Sequence, residues 1–319
     1  MMIPQSEHTP PDRVLKWVVN SVDPLAAVQS TRRLQGGISS IIHSVSLRTH
    51  GEVREFVVRQ FDNEEWLKDE PDLALHEAES LRWAYGNGLC APQIIAFNES
   101  GRECGVPTVL MTRLEGSVVL NPANYDLWLN GLAESLVKIH AVEADSFPWA
   151  YFTYNDIDTL EIPSWSSSPE LWSRVLDIVR GPKPKFKPCF IHRDYHPTNV
   201  LWTGNYVSGV VDWVNACRGP AGIDIGHCRL NLAMLLGVQS ADQFLSAYLS
   251  HAGTEFSYSP YWDILSLVDI LFGPPTVYQG WTALGVTGLT DTLMVERIDR
   301  YMASLVERVS SHSDDMNHK

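Results

Sequence analysis

Two apolar stretches that each lead into polar residues place the strongest constraint on this chain. The first, residues 190–201, contains the spacing H-R-D-x-x-x-x-N, in which Asp194 and Asn199 are the last two members. The second, residues 209–213, carries Asp212 directly after two valines. A carboxylate that follows a buried strand needs a partner. We therefore expect Asp194, Asn199 and Asp212 to lie close together at the ends of two short strands.

These three side chains match the needs of kinase-type phosphoryl transfer. In that chemistry an Asp accepts the proton of the attacking hydroxyl, and an Asn and a second Asp hold Mg²⁺ on the nucleotide phosphates. Asp194 is thus the candidate catalytic base, and Asn199 and Asp212 are the candidate Mg²⁺ ligands. Each alone could be a turn or strand-end residue, but the combination favours catalysis. We expect His192 to brace this loop, and Asp224 either to cap a helix or to hold the loop through backbone N–H groups.

Candidate phosphate-binding groups lie earlier in the chain. Arg59 ends a strand-like run, and Glu77 lies on the following predicted helix, where it could hold the guanidinium. Arginine binds phosphate well because its charge is permanent and its donors form a fork. The alternative is a surface ion pair that contributes little. The Gly-rich loop at 36–40, with Gly37 and Ser39, could present N–H groups and a hydroxyl to phosphate, although such a segment is also an ordinary lead into a hairpin.

Bulk properties exclude several classes of protein. The 319 residues suffice for one large domain or two lobes. A net charge of −14 argues against binding of nucleic acid, which requires a basic surface. The five cysteines form no C-x-x-C pair, which favours reduced thiols over disulfides or zinc. The N-terminus lacks an apolar signal segment, and the apolar run at 264–272 is too short to span a bilayer. We therefore expect a cytoplasmic protein with no membrane partner; the sequence does not indicate its oligomeric state.

The order of predicted elements divides the chain into two parts. Strands at 41–47, 55–61, 94–97 and 107–111 and a helix at 71–86 predict a small α+β lobe that ends near residue 115, after a polar tail at 1–12. Beyond it the chain is mainly helical. Helices are predicted at 127–139, 171–179, 225–236, 240–251, 260–272 and 291–310, with a polar tail from 312.

Together these motifs resemble the aminoglycoside phosphotransferase / choline kinase-like family, which shares the protein-kinase-like fold. The resemblance covers roughly residues 30–235. It rests on the catalytic segment, on residues 209–213 and on four further segments, at 36–37, 57–59, 76–81 and 110–116, together with residues 132–140. It implies an α+β, two-lobe protein-kinase-like fold. Residues 1–115 would form a small β-rich nucleotide-binding lobe, and residues 116–319 a larger, mainly helical lobe for catalysis and acceptor binding.

The resemblance also implies roles for particular residues. Asp194 would be the base, Arg59 would bind phosphate while paired with Glu77, and the segment from Met111 to Leu114 would receive the adenine. Mg²⁺ and ATP or GTP would be the cofactor and co-substrate. Arg59 stands where kinases usually carry Lys. Asp212 is followed by Trp-Val rather than Phe-Gly, and no Ala-Pro-Glu follows, which argues against a protein kinase.

The sequence does not identify the acceptor molecule. Members of the resembled family phosphorylate aminoglycosides, macrolides, choline, sugars and other small alcohols. The second lobe carries acids that could bind amines, or that could equally belong to the core and surface of a helical lobe: Asp156, Asp158, Glu161, Asp263 and Asp269. The alternatives to an aminoglycoside-type phosphotransferase are a kinase of a metabolite alcohol and a catalytically idle nucleotide-binding protein. The intact set of three catalytic residues disfavours the idle protein.

Overall fold

The structure is a computed structural model, and it describes residues 9–34, 40–270 and 272–317. Within these ranges the chain has the two-lobe α+β architecture that the sequence predicts. A five-stranded antiparallel sheet forms the first lobe, and helices dominate the second, larger lobe. Gly37 and Ser39 fall between the first two described ranges, so their predicted contact with phosphate lies outside the described residues.

The first lobe is a sheet with helices on both faces. Its sheet has the strand order β1-β2-β3-β5-β4. Its elements are α1 (Asp12–Val22), β1 (Ala27–Arg33), β2 (Ile41–Thr49), β3 (Glu52–Gln60), α2 (Glu64–Asp69), α3 (Leu73–Gly86), β4 (Ile94–Asn98) and β5 (Thr108–Thr112).

The hairpin between β2 and β3 fixes which side chains face the second lobe. His50 and Gly51 both have positive φ, 49° and 89°, which is the conformation of a tight two-residue hairpin turn. Along β3, Phe56 and Val58 join the core under α1, while the alternate residues Val57 and Arg59 line the cleft between the lobes. Strand alternation therefore delivers Arg59 to the cleft.

Helix α1 was not predicted from the sequence. It lies on the outer face of the sheet and buries Val14, Trp17 and Val18 there. These positions have the i, i+3, i+4 spacing of an amphipathic helix, and that spacing was the available signal. The outer face of the sheet is consequently a core of its own, closed off from solvent by this helix.

The second lobe contains the remaining strands and helices. Its strands are β6 (Ser117–Val118), β7 (Pro188–Ile191), β8 (Val200–Thr203), β9 (Tyr206–Val210) and β10 (Cys217–Pro220). Its helices are α4 (Tyr125–His140), α5 (Pro169–Arg180), α6 (Ala221–Leu235), α7 (Val238–Ala252), α8 (Tyr261–Asp269), α9 (Gln279–Ala283) and α10 (Asp291–Asn317). Helix α10 continues to Asn317, so the polar tail predicted from residue 312 is wrong for residues 312–317. No helix in the described ranges is long and apolar enough to cross a membrane.

Helix α6 is the central element of the second lobe. It is buried almost all round and packs against α7, α8 and α10. Within this core Arg229 donates to Asp263 at 2.6 Å and to Asp242 at 2.8 Å. Tyr301 donates to the other oxygen of Asp263 at 3.0 Å. The fully buried Asp263 is thus held as part of an internal ion-pair network that joins four helices.

Candidate active site

The catalytic segment forms a loop between β7 and β8 that closes on itself through Asn199. The side-chain amide of Asn199 donates to the backbone oxygen of Asp194 at 2.8 Å and to its Oδ2 at 3.0 Å. The N–H of Val211 donates to the backbone oxygen of Asn199 at 2.9 Å, which joins this loop to the residue before Asp212. The structure therefore brings together Asp194, Asn199 and Asp212, and all three line one cavity.

Two imidazoles surround the Asp194 carboxylate. Nε2 of His227 lies 3.1 Å from Oδ1 of Asp194, and Nε2 of His196 lies 3.7 Å from the same oxygen. Burial raises the pKa of Asp194, but the neighbouring His196 and His227 outweigh it and hold that pKa below its usual range. Burial lowers the pKa of His196 to about 4. Asp194 is thus an ionised acceptor at neutral pH.

His227 is a site residue that the sequence analysis missed. It lies on α6, one turn after Asp224, on the side of the helix that faces Asp194. The available signal was this three-residue spacing from Asp224 at the start of a predicted helix, since side chains three apart lie on one helical face. A lone histidine on an apolar helix gives no further indication of its contacts.

Asp224 holds the backbone of the catalytic loop. Its carboxylate accepts the N–H of His192 at 2.7 Å and the N–H of Arg193 at 2.6 Å, and Nε2 of His140 lies 3.1 Å away. Arg193 has φ of 67°, in the left-handed region that costs a non-glycine residue about 1–2 kcal/mol. The residue before α6 is Pro220, so the alternative that Asp224 caps the helix is wrong. Burial raises the pKa of Asp224, but the contact with His140 outweighs burial and holds that pKa below its usual range.

His192 braces the two strand ends against each other. Its Nδ1 accepts the N–H of Asp194 at 3.3 Å, so Nε2 carries the hydrogen and donates to the oxygen of Val211 at 2.9 Å. The ring lies against Trp213, with centroids 4.6 Å apart. These are the contacts expected of a residue that braces the loop, and this role of His192 stays a prediction.

Arg59 forms the link across the cleft between the lobes. Its Nη1 donates to Glu77 Oε1 at 2.9 Å and to Asp212 Oδ1 at 2.6 Å, and its Nε donates to Ser40 Oγ at 2.8 Å. Burial lowers the pKa of Arg59, but the charges of Asp212 and Glu77 raise it above its usual range. The alternative of a surface ion pair is wrong, because Arg59 and Glu77 are both buried. Asp212 itself has φ of 68°.

One cavity of about 770 Å³ joins the predicted nucleotide and acceptor regions. On its first-lobe side Met111 and Leu114 line it beside Val57, as the predicted adenine position requires. On its other side the lining comes from α6, from Ile270 and from residues within 272–284.

The second-lobe acids that could have bound amines lie elsewhere. None of Asp156, Asp158, Glu161, Asp263 and Asp269 is among the described lining residues. Asp269 accepts the Tyr151 hydroxyl at 3.1 Å and the N–H of Tyr154 at 2.5 Å. Asp263 is buried with Arg229. Both therefore hold the second lobe together, which is the structural alternative for these two residues.

A two-lobe fold with these strand ends in its cleft belongs to the class of protein-kinase-like phosphotransferases. The family model described as the phosphotransferase enzyme family APH matches residues 33–262, and the chain belongs to that family.

Individual relatives are more distant. A homoserine kinase from Methylorubrum populi is 31% identical over 157 residues, which are 43% of this chain and 46% of that protein. The chain thus spans less than half the length of this curated relative. A Ralstonia eutropha protein crystallised as a candidate aminoglycoside phosphotransferase has a TM-score of 0.61 at 16% identity, covering 94% of this chain and 98% of that one. Choline kinase from Streptococcus pneumoniae has a TM-score of 0.58 at 16% identity, covering 93% and 99%. At this identity the two structures establish the fold alone.

Proposed function

We propose that this protein transfers the γ-phosphate of a nucleoside triphosphate, ATP or GTP, to a hydroxyl of a small molecule. The observation that carries the proposal is the convergence of Asp194, Asn199, Asp212 and Arg59 on one cavity. Residues 1–115 would form the nucleotide-binding lobe, and residues 116–319 the catalytic and acceptor-binding lobe.

Asp194 would receive the acceptor hydroxyl. A carboxylate whose pKa is lowered stays ionised, so it accepts a hydrogen bond from the hydroxyl and orients the oxygen for in-line attack. The contact with Asn199 fixes the carboxylate, so the incoming hydroxyl meets it in one position. As the new O–P bond forms, the bond from the γ-phosphorus to the bridging oxygen would break and the nucleoside diphosphate would leave, while the hydroxyl proton passes to Asp194.

Arg59 would bind the phosphates. Its guanidinium already contacts Asp212 from the second lobe and Glu77 from α3, which fixes its position before the nucleotide arrives. A preorganised cation in a partly closed cleft stabilises developing phosphate charge better than a mobile one. The side chains of Met111, Leu114 and Val57 provide an apolar surface for the base of the nucleotide.

The donor set fits Mg²⁺. The Asn199 side-chain nitrogen is bound to Asp194, so its Oδ1 is the atom left for a metal. Asp212 uses Oδ1 for Arg59, and its second oxygen is left. Magnesium prefers one or two protein oxygens together with phosphate oxygens and water. Bound there, Mg²⁺ would neutralise charge on the transferring phosphate; its presence is part of the proposal.

The proposed acceptor is a small molecule with a hydroxyl group. Two kinds of relative suggest different acceptors of this class. The structural neighbours include an aminoglycoside-type protein and choline kinase, whereas the curated relative is a homoserine kinase. A metabolite alcohol is therefore an alternative to an antibiotic. A catalytically idle nucleotide-binding protein is disfavoured because Asp194, Asn199 and Asp212 are all in place.

The test of the phosphotransferase proposal is Asp194→Asn. We expect turnover, measured as ADP or GDP release with Mg²⁺, to fall by a factor of about 100 to 10,000, because the hydroxyl loses its proton acceptor. Binding of Mg-nucleotide, measured by calorimetry, should change little. The matched control is Asp126→Asn, an exposed Asp in the first turn of α4, which should leave both unchanged. Retained turnover in Asp194→Asn contradicts the assignment of the base.

A further inference from the structure

The acceptor side of the cavity is formed by an uncharged segment. Between Asp269 and Asp291 the sequence contains no Asp, Glu, Lys, Arg or His, although 38 acidic residues are spread over the whole chain. From this segment Ile270, Phe272 and Tyr278 line the cavity, and Met234 of α6 lies beside them. This segment therefore gives the cavity apolar side chains and no charged one.

The part of this segment around Tyr278 and Trp281 is packed, and together with the exposed Phe272 and Leu284 it forms an apolar wall of the cavity. Trp281 is fully buried in a small core with Leu120, Leu235 and Met294. The ring of Tyr278 meets Trp281 edge-on at 5.6 Å and His196 at 5.7 Å. An apolar surface with its own core holds its shape and presents a defined contact area next to the catalytic loop.

Two large apolar side chains of this wall remain open to solvent. Phe272 is 74% exposed and Leu284 is 38% exposed, and both line the cavity. Single exposed hydrophobic residues are ordinary. Here, however, they lie on the same cavity as the candidate base, where a bound molecule would cover them. The gain from covering them is the hydrophobic contribution to binding.

The carboxylates of the described lining are all committed to the catalytic machinery. They are Glu77, Asp194 and Asp212. Glu77 and Asp212 are paired with Arg59, and Asp194 contacts His227. An acceptor with several ammonium groups would lose its hydration against an apolar wall without gaining a partner, which is costly. A zwitterionic amino-acid alcohol has the same difficulty at its ammonium group.

We propose that the acceptor is an alcohol with an uncharged, apolar body, a ring or chain that lies on Phe272, Tyr278 and Leu284 while its hydroxyl reaches Asp194. This inference rests on the phosphotransferase proposal and narrows it to one substrate class. A site built from carboxylates would bind such an apolar body poorly. The charge and the apolar surface area of the acceptor therefore distinguish this class from polycationic acceptors.

The first test compares two primary alcohols that differ in one group. 4-Phenylbutan-1-ol and 4-aminobutan-1-ol carry the same hydroxyl on the same chain, one ending in a phenyl ring and the other in an ammonium group. We expect kcat/KM to favour the phenyl compound by at least about tenfold, since burial of a ring is worth that much. An aminoglycoside should be turned over no better than the ammonium compound. Equal rates, or a preference for the amines, would overturn the inference.

The second test places a charge on the wall. Phe272→Asp is expected to lower kcat/KM for 4-phenylbutan-1-ol by about tenfold and to raise it for 4-aminobutan-1-ol, with the KM for Mg-ATP unchanged. Phe272 is highly exposed, so its replacement does not disturb the core. The matched control is Tyr206→Asp, an aromatic residue that is 79% exposed and lies outside the cavity lining. An identical response of the two variants would refute a specific role of the wall.

Binding measurements separate failure of this inference from failure of the proposed function. Calorimetry with Mg-ATP comes first, and absence of nucleotide binding would overturn the phosphotransferase proposal itself. If Mg-ATP binds but neither alcohol is phosphorylated, the ratio of their Kd values with a non-hydrolysable ATP analogue decides. A lower Kd for the phenyl compound supports the inference, and equal values overturn it.

Discussion

Replacing Asp224 by Asn is the change for which the structure gives the most definite outcome. The fully buried carboxylate accepts two backbone N–H groups and contacts His140, at distances of 2.6–3.1 Å. An amide offers one acceptor oxygen in place of two, so one N–H of the loop faces an NH₂ group and loses its partner. An unpaired buried donor costs about 1–3 kcal/mol, and a charge-assisted bond is worth about 1 kcal/mol more than a neutral one.

Together these effects predict a loss of about 3 kcal/mol in the free energy of unfolding at pH 7. The loop should also relax, because the same contact holds Arg193 at positive φ next to Asp194. A displacement of the base by about 1 Å costs on the order of 100-fold in kcat. Urea unfolding followed by tryptophan fluorescence measures the first quantity, and steady-state kinetics the second.

The pH dependence of the same variant provides an independent check. The pKa of Asp224 is lowered in the folded state, so its contribution is present above the pKa of the unfolded chain, about 3.9, and is lost as pH falls below it. The difference in stability between wild type and Asp224→Asn should be constant between pH 7 and 5 and should shrink below pH 4. Asp156→Asn is the control, since the side chain of this exposed Asp accepts the N–H of Asp158 at the surface. A loss under about 1 kcal/mol with unchanged kcat would refute the reasoning.

Two further replacements test the buried cations. Arg59→Lys keeps the charge but offers one donor nitrogen in place of two, Nη1 on Glu77 and Asp212 and Nε on Ser40. We expect the KM for Mg-nucleotide to rise about tenfold in steady-state assays, and an unchanged KM would contradict the proposed phosphate contact. Asp263→Asn removes the fully buried partner of Arg229 and leaves it the partly exposed Asp242, so it should cost up to about 3–5 kcal/mol in urea unfolding. The double variant Arg229→Met/Asp263→Leu should recover most of that loss, and equal instability of the single and double variants would show that the ion pair is not the cause.

The local sequence was sufficient to predict the catalytic loop, but it did not predict the contacts that hold this loop in place. Asp194 and Asn199 lie five residues apart in one recognisable spacing, and Asp212 follows two strands later, just after β9. The contact of His140 with Asp224 joins residues 84 apart, and no local pattern encodes such a pairing. The contact of His227 with Asp194 likewise depends on the direction in which α6 leaves β10.

The burial of each side chain shows which acids belong to the core, a point that residue type alone left open. Asp263 and Asp269 could have faced an acceptor or the core, and only packing distinguishes the two. The distinction matters because Asp263 is paired with a buried arginine, whereas an acid in the cleft would have been available to an amine. Helix α1 shows the opposite case, since the spacing of Val14, Trp17 and Val18 is visible in the sequence and predicts its buried face.

The separate core beneath α1 has a consequence for the order in which parts of the protein unfold. Val14, Trp17 and Val18 contact the outer face of the sheet, and the cleft is lined by its inner face. Layers with separate cores open as separate cooperative units. Fraying of α1 can therefore proceed while the catalytic loop keeps its shape, and amide hydrogens of this helix are expected to exchange well before those of Asp194 and its neighbours.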